Sequence, residues 1–124
     1  MPRYGLVEFW RPRPEWYAMS RKEKEEFVEG IRENVATLEK RGAKLLGVYL
    51  CRGTSDWDGM AFWDCPNIEM AEAVAEGSES HRWYHYFEGS NVAGTTQTLV
   101  DCLAGGRSGD ESYAAAAGQA TSTL

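Results

Sequence analysis

Lys44 to Arg52 (KLLGVYLCR) and Gly59 to Asp64 (GMAFWD) are two short apolar runs, and Gly53-Thr54-Ser55-Asp56 between them is a cluster with turn chemistry. Runs of this length, rich in aliphatic and aromatic residues, are strands, and the turn between them predicts an antiparallel hairpin. Working outward toward the N-terminus, Ser20 with Glu23 three positions later forms a capping box. Phe27, Ile31, Val35 and Leu38 then recur at helical spacing until Gly42 supplies a stop. The remaining positions of that helix (Arg21, Lys22, Lys24, Glu25, Glu29, Arg32, Glu33, Lys40) are charged and form a solvated face. Ahead of it, Tyr4 to Trp10 (YGLVEFW) reads as a strand that ends at Arg11-Pro12-Arg13-Pro14, where prolines remove ladder donors and an extended loop is expected. Beyond the hairpin, Cys65-Pro66-Asn67 breaks the second strand. Ile68, Met70, Ala71, Val74 and Ala75 then mark a helix ending near Gly77. A further helical turn or two is expected over His81 to Glu88, and the last strand within Asn91 to Leu103, over its second half.

The order strand, helix, strand, strand, helix, strand is the split βαβ, or ferredoxin-like, arrangement: an α+β fold with a four-stranded antiparallel sheet and both helices on one face. Alternation puts Val7, Phe9, Leu46, Val48, Leu50, Met60 and Phe62 on one side of that sheet. Leu6, Trp10, Leu45, Tyr49 and Trp63 fall on the other, so neither face is polar. Helices cover one face; a second copy of the chain is the economical cover for the other, and a homodimer is expected.

A chain of 124 residues holds one core and excludes a two-domain enzyme. Residues 1–103 form the domain, and 104–124, rich in Gly, Ser, Ala and Thr, are expected to be a flexible C-terminal tail. With 13 Lys+Arg against 19 Asp+Glu and a net charge of -6, the chain lacks the basic face that nucleic acid requires. No apolar run reaches the roughly 18 to 20 residues that span a bilayer, so no membrane partner is expected. The start of the sequence carries no secretory pattern, and three cysteines without a CxxC pair (Cys51, Cys65, Cys102) fit free thiols, so a cytoplasmic location is expected.

Val7-Glu8 leading to Pro12, Pro14 and Trp16, followed by Trp83, Tyr86-Phe87-Glu88, Asn91 and Ala93-Gly94, resembles the dimeric α+β barrel superfamily. Its small ferredoxin-like subunits include antibiotic-biosynthesis monooxygenases, stress-responsive barrel proteins and haem-handling enzymes. Within it, the chain resembles a small uncharacterised bacterial group over residues 4 to about 103. The resemblance implies a barrel completed across a dimer and a cavity between sheet and helices in each subunit.

Three chemistries fit the residues. Glu8, an acidic residue inside an apolar strand, is either turned to solvent or held in a pocket, where burial would raise its pKa enough for proton transfer. His81 and His85 are the only histidines, and an imidazole exchanges protons near neutral pH. His85, His81 and Glu8 are therefore the candidate catalytic residues. On a continuous helix His81, His85 and Glu88 would share one face and could hold a metal, and one histidine could ligate haem; equally, the histidines could be amphipathic residues at an interface. Asp64 reads as a strand-end residue. The aromatic content exceeds what a small core absorbs, which suits a flat hydrophobic or aromatic small molecule. Tyr49, Trp63, Trp83, Tyr86 and Asn91 are the candidate substrate-binding residues, with the alternative that the rings only close the dimer. No nucleophile elbow, phosphate loop or dinucleotide fingerprint is present, so no cofactor is implied by motif. The expected function is a small-molecule enzyme with acid-base (cyclase or isomerase) or cofactor-independent monooxygenase chemistry. The alternatives are a non-catalytic ligand-binding or scaffold dimer, and a haem or metal protein acting through His81 or His85.

Overall fold

The computed structural model describes residues 3–52, 56–80 and 82–105. Residues 53–55 of the expected turn, His81, and the expected tail from 106 onward lie outside the described residues. The chain runs β1 (Tyr4–Pro12), α1 (Pro14–Ala18), α2 (Arg21–Lys40), β2 (Lys44–Leu50), β3 (Gly59–Cys65), α3 (Ile68–Ser80), α4 (Trp83–Tyr86), β4 (Phe87–Thr95) and α5 (Leu99–Leu103). The four strands form one antiparallel sheet in the order β2-β3-β1-β4. This is the ferredoxin-like α+β topology expected from the sequence.

Helix α2 begins where the capping box predicts. Ser20 Oγ accepts from the Glu23 N–H, and the Ser20 N–H donates to Glu23 Oε1, each at 3.1 Å. It ends at Gly42, whose φ of +107° is the left-handed conformation that glycine adopts without strain. Helix α3 does not stop at Gly77 as expected but continues to Ser80. Gly77 serves packing instead: a Cβ there would lie 2.7 Å from Asn34 Nδ2, so its absence lets α2 and α3 approach.

Three other expectations are corrected. The last strand is Phe87–Thr95, which begins four residues before the predicted stretch and shares only residues 91–95 with it. Thr98 Oγ1 accepts from the Asp101 N–H at 3.0 Å and caps a helical turn, so Leu99 to Leu103 is helix, while Gly89 and Ser90 are tolerated on an edge strand. The helix expected over His81 to Glu88 is a single turn, Trp83–Tyr86, and Glu88 belongs to β4. The loop expected after Trp10 is strand to Pro12, because β3 pairing ends at the Trp10–Gly59 pair and only β4 accompanies Arg11 and Pro12. Pro14 then occupies a first-turn position of α1, where no donor is needed.

A β-bulge between Leu45 and Gly47 also changes the faces of the sheet. The extra residue in β2 puts Leu45 and Val48 on the helix side and Tyr49 on the open side, the reverse of strict alternation for Val48 and Tyr49. The helix side carries the core of Leu6, Leu38, Ala43, Trp63, Cys65, Met70, Ala71 and Val74. The open side carries Val7, Phe9, Leu46, Tyr49, Met60, Phe62 and Val92, with Leu46 61% and Val92 59% exposed. Trp57 covers only one end of it, 6.2 Å from the Phe9 ring and under the Arg11 guanidinium.

Candidate functional site

The core fills the space between the sheet and α3, but toward Trp10 and Val48 the layers separate. A cavity of about 370 Å³ remains there between α2 and strands β1, β2 and β3. Val28, Ile31 and Val35 of α2 line one side, and Trp10, Leu45, Val48, Ala61 and Trp63 line the sheet side. Trp83 joins them from the turn before β4. The walls are mostly apolar, with Leu38 and Val74 closing the core end; the polar groups are Glu8 of β1 and Arg32, Asn34 and Glu39 of α2.

Glu8 reaches this space by strand alternation. Leu6 is buried on the helix side, so Glu8 and Trp10 follow on the same side, and the register sets Glu8 between Ala61 of β3 and Asn91 of β4. The small Ala61 leaves room above the carboxylate. The Trp63 indole Nε1–H donates to Glu8 Oε1 at 2.6 Å, a short charge-assisted bond when the carboxylate is ionised. Trp63 is 4% exposed and packed in the core, so the carboxylate is positioned by a rigid partner.

The aromatic wall is continuous. Trp10 meets Trp83 edge-on at 5.4 Å, Trp83 stacks on Phe87 at 4.3 Å, and Phe87 meets Trp16 at 4.9 Å, with Phe27 of α2 packed among them. Such edge and stacked pairs add to area burial and hold the rings in defined orientations.

Of the candidates from sequence, the fold brings Glu8, Trp63 and Trp83 together. Asn91 stands directly across from Glu8 on β4, exposed, and its Nδ2–H donates to Tyr84 Oη at 3.1 Å; it lies beside the cavity without lining it. Tyr49 is on the open face against Phe62, and Tyr86 packs on Phe27, both away from the cavity. His85 is exposed, edge-on to Tyr86 at 4.7 Å, and also outside the cavity lining. The expected stripe of His81, His85 and Glu88 is not formed by the described residues, because β4 takes Glu88. There it meets Arg11 at 2.6 Å, and the hydrogen bond from that guanidinium holds the Glu88 carboxyl below the usual range. Among the described residues no group of His, Cys, Asp and Glu is arranged to hold a metal ion. Asp64 is paired with Arg3, and burial pushes the Cys65 thiol up, away from nucleophilic thiolate.

Sequence reasoning passed over Val28 and assigned Arg32 to the solvated face of α2, so it missed both as lining residues. Their i, i+4 spacing alongside Ile31 was the available signal.

A family model, described as "Family of unknown function (DUF6616)", matches residues 3–106. The chain belongs to this family. No curated protein matches the sequence. Among solved structures, a variant of chlorite dismutase from Candidatus Nitrospira defluvii superposes with a TM-score of 0.67 at 17% identity, over 83% of this chain and 44% of that one. The same enzyme in complex with imidazole gives a TM-score of 0.68 at 14% identity, over 82% and 43%. The chain thus spans under half the length of these structures, and at such identities the likeness is one of fold. The fold shared between this member of the DUF6616 family and the chlorite dismutases is the ferredoxin-like α+β arrangement.

Haem needs an axial His, Cys, Met or Tyr. None lines the cavity, so its described residues do not fit haem, and His85 lies elsewhere. Among the described residues no helix is long and apolar enough to cross a membrane.

Proposed function

We propose that this chain is a homodimer whose subunits each bind a flat, hydrophobic or aromatic small molecule between α2 and the sheet, with Glu8 as the acid-base group. The observation that carries this reading is a carboxylate on the sheet, hydrogen-bonded to a buried indole, facing a cavity whose walls are mostly apolar and include Trp10, Trp63 and Trp83. In such surroundings a carboxylate accepts strongly from an N–H or O–H on a ring, and it can take a proton from an activated C–H and return it elsewhere on the same molecule. That is isomerase or cyclase chemistry, and it needs no nucleophile. Trp63 orients Glu8, and Trp10 and Trp83 offer ring faces and edges for stacking. The open apolar face supports the dimer, since a patch of that extent is rarely left exposed on a monomer.

Filling the cavity tests the reading. Ala61→Leu adds a branched side chain beside Glu8, and overfilling a packed site costs about 1–3 kcal/mol. With naphthalene-2-carboxamide as probe and tryptophan fluorescence as readout, the unaltered protein should bind and Ala61→Leu should bind at least about tenfold more weakly with unchanged circular dichroism. Equal affinity in both proteins would place the ligand elsewhere. Mass spectrometry of the purified protein then separates catalysis from storage: Glu8→Gln should retain a copurifying molecule but leave it unconverted, whereas a binding module leaves it unconverted with either residue.

A further inference from the structure

We infer that the ligand of this cavity is an amphipathic anion, an aromatic body carrying a carboxylate that stays at the mouth against Arg32 and Lys24. This rests on the cavity reading above and adds the charge and orientation of the molecule. The lining carries two carboxylates, Glu8 on the sheet and Glu39 in the last turn of α2, and one guanidinium, Arg32, about two turns before Glu39. Glu8 projects from the sheet, so an anionic group on the ligand is repelled there and cannot be the end that enters first. Arg32 comes from α2 on the opposite side.

Arg32 and Val28 belong to two sites at once. They line the cavity, and they also line an adjoining surface depression with Trp16, Arg21 and Lys24. A molecule leaving the cavity past Val28 therefore meets this shelf directly. Two carboxylates lie on it as well, Glu25 and Glu29. Arg21 takes up Glu25 at 3.2 Å, and Arg32 is 3.7 Å from Glu29, beyond hydrogen-bond distance and with both side chains largely exposed. Three cations against two anions leave a positive surplus, and Lys24, set 5.2 Å over the Trp16 ring, is not in an ion pair among the described residues. In a chain of net charge -6, a positive shelf at the entrance to an apolar cavity is a local arrangement against the overall field. A guanidinium offers paired donors to a carboxylate, and Lys24 adds a point charge.

The test compares naphthalene-2-carboxylate with naphthalene-2-carboxamide, alike in shape and different in charge, by fluorescence titration at low ionic strength. The carboxylate should bind about fivefold more tightly, and added salt should narrow the ratio. In Arg32→Gln with Lys24→Gln, the ratio of carboxylate to amide affinity should fall to about one. Lys22→Gln with Lys40→Gln, an equal charge change on exposed residues that line neither space, should preserve the ratio. Equal binding of both probes by the unaltered protein would overturn the inference and leave the cavity reading standing. So would a loss of preference in Lys22→Gln with Lys40→Gln equal to that in Arg32→Gln with Lys24→Gln, which would assign the effect to net charge. Failure of both probes to bind would instead overturn the cavity reading, and the inference with it.

Discussion

Val92→Asp and, separately, Leu46→Asp should each yield a folded monomer. Both side chains lie on the open sheet face and are more than half exposed in a single chain, so a carboxylate there costs the subunit little. Across a two-fold interface the same change occurs twice and buries two unpaired charges against apolar neighbours such as Val7 and Phe62. After relaxation the penalty is several kcal/mol per ion, so the dimer dissociation constant should rise about a thousandfold or more. Sedimentation velocity at micromolar concentration reads this directly, with circular dichroism reporting the fold. Variants that sediment as the unaltered protein does would show that the open face is not what joins two copies.

The second large effect is expected at Trp63. Trp63→Ala removes a nearly buried indole from the centre of the core and should destabilise the domain by about 3–5 kcal/mol. At roughly 4–8 °C per kcal/mol for a domain of this size, the midpoint of thermal unfolding falls by more than about 12 °C. Trp63→Phe keeps most of the bulk but deletes the donor to Glu8, at a cost of about 1–3 kcal/mol. Adding Glu8→Leu to Trp63→Phe removes both polar partners and should recover part of that loss while abolishing the acid-base role. If Trp63→Phe alone matches the unaltered protein, the indole–carboxylate bond has no structural weight.

The elements that were legible in the sequence carry their own local signals. Ser20 and Glu23 announce the start of α2, Gly42 its end, and the two apolar runs about residues 53–56 announce the hairpin. Glu8 was legible as an anomaly, a charge inside an apolar strand, and the fold places it in the cavity and not at a solvent edge. Faces and boundaries were harder because they depend on partners. The bulge at Leu45–Gly47 is a property of β2 against β3, and it exchanges Val48 for Tyr49 on the cavity side. Strand β4 is extended because β1 pairs with it from Phe87, which overrides the helical spacing of His85 and Glu88. The lining by Arg32 was hidden for a related reason: a cation at the border of an apolar stripe looks like solvated surface until the neighbouring layer is in place.

The central claim, that the space between α2 and the sheet is where a ligand binds, is tested most directly by the indole N–H resonances of the five tryptophans. They can be assigned by single Trp→Phe substitutions and followed by ¹H–¹⁵N NMR during titration with naphthalene-2-carboxamide. Trp63, hydrogen-bonded to Glu8, should move most, together with Trp10 and Trp83, while Trp57 on the open face stays fixed. Movement of Trp57 with Trp63 and Trp83 unshifted would contradict the account.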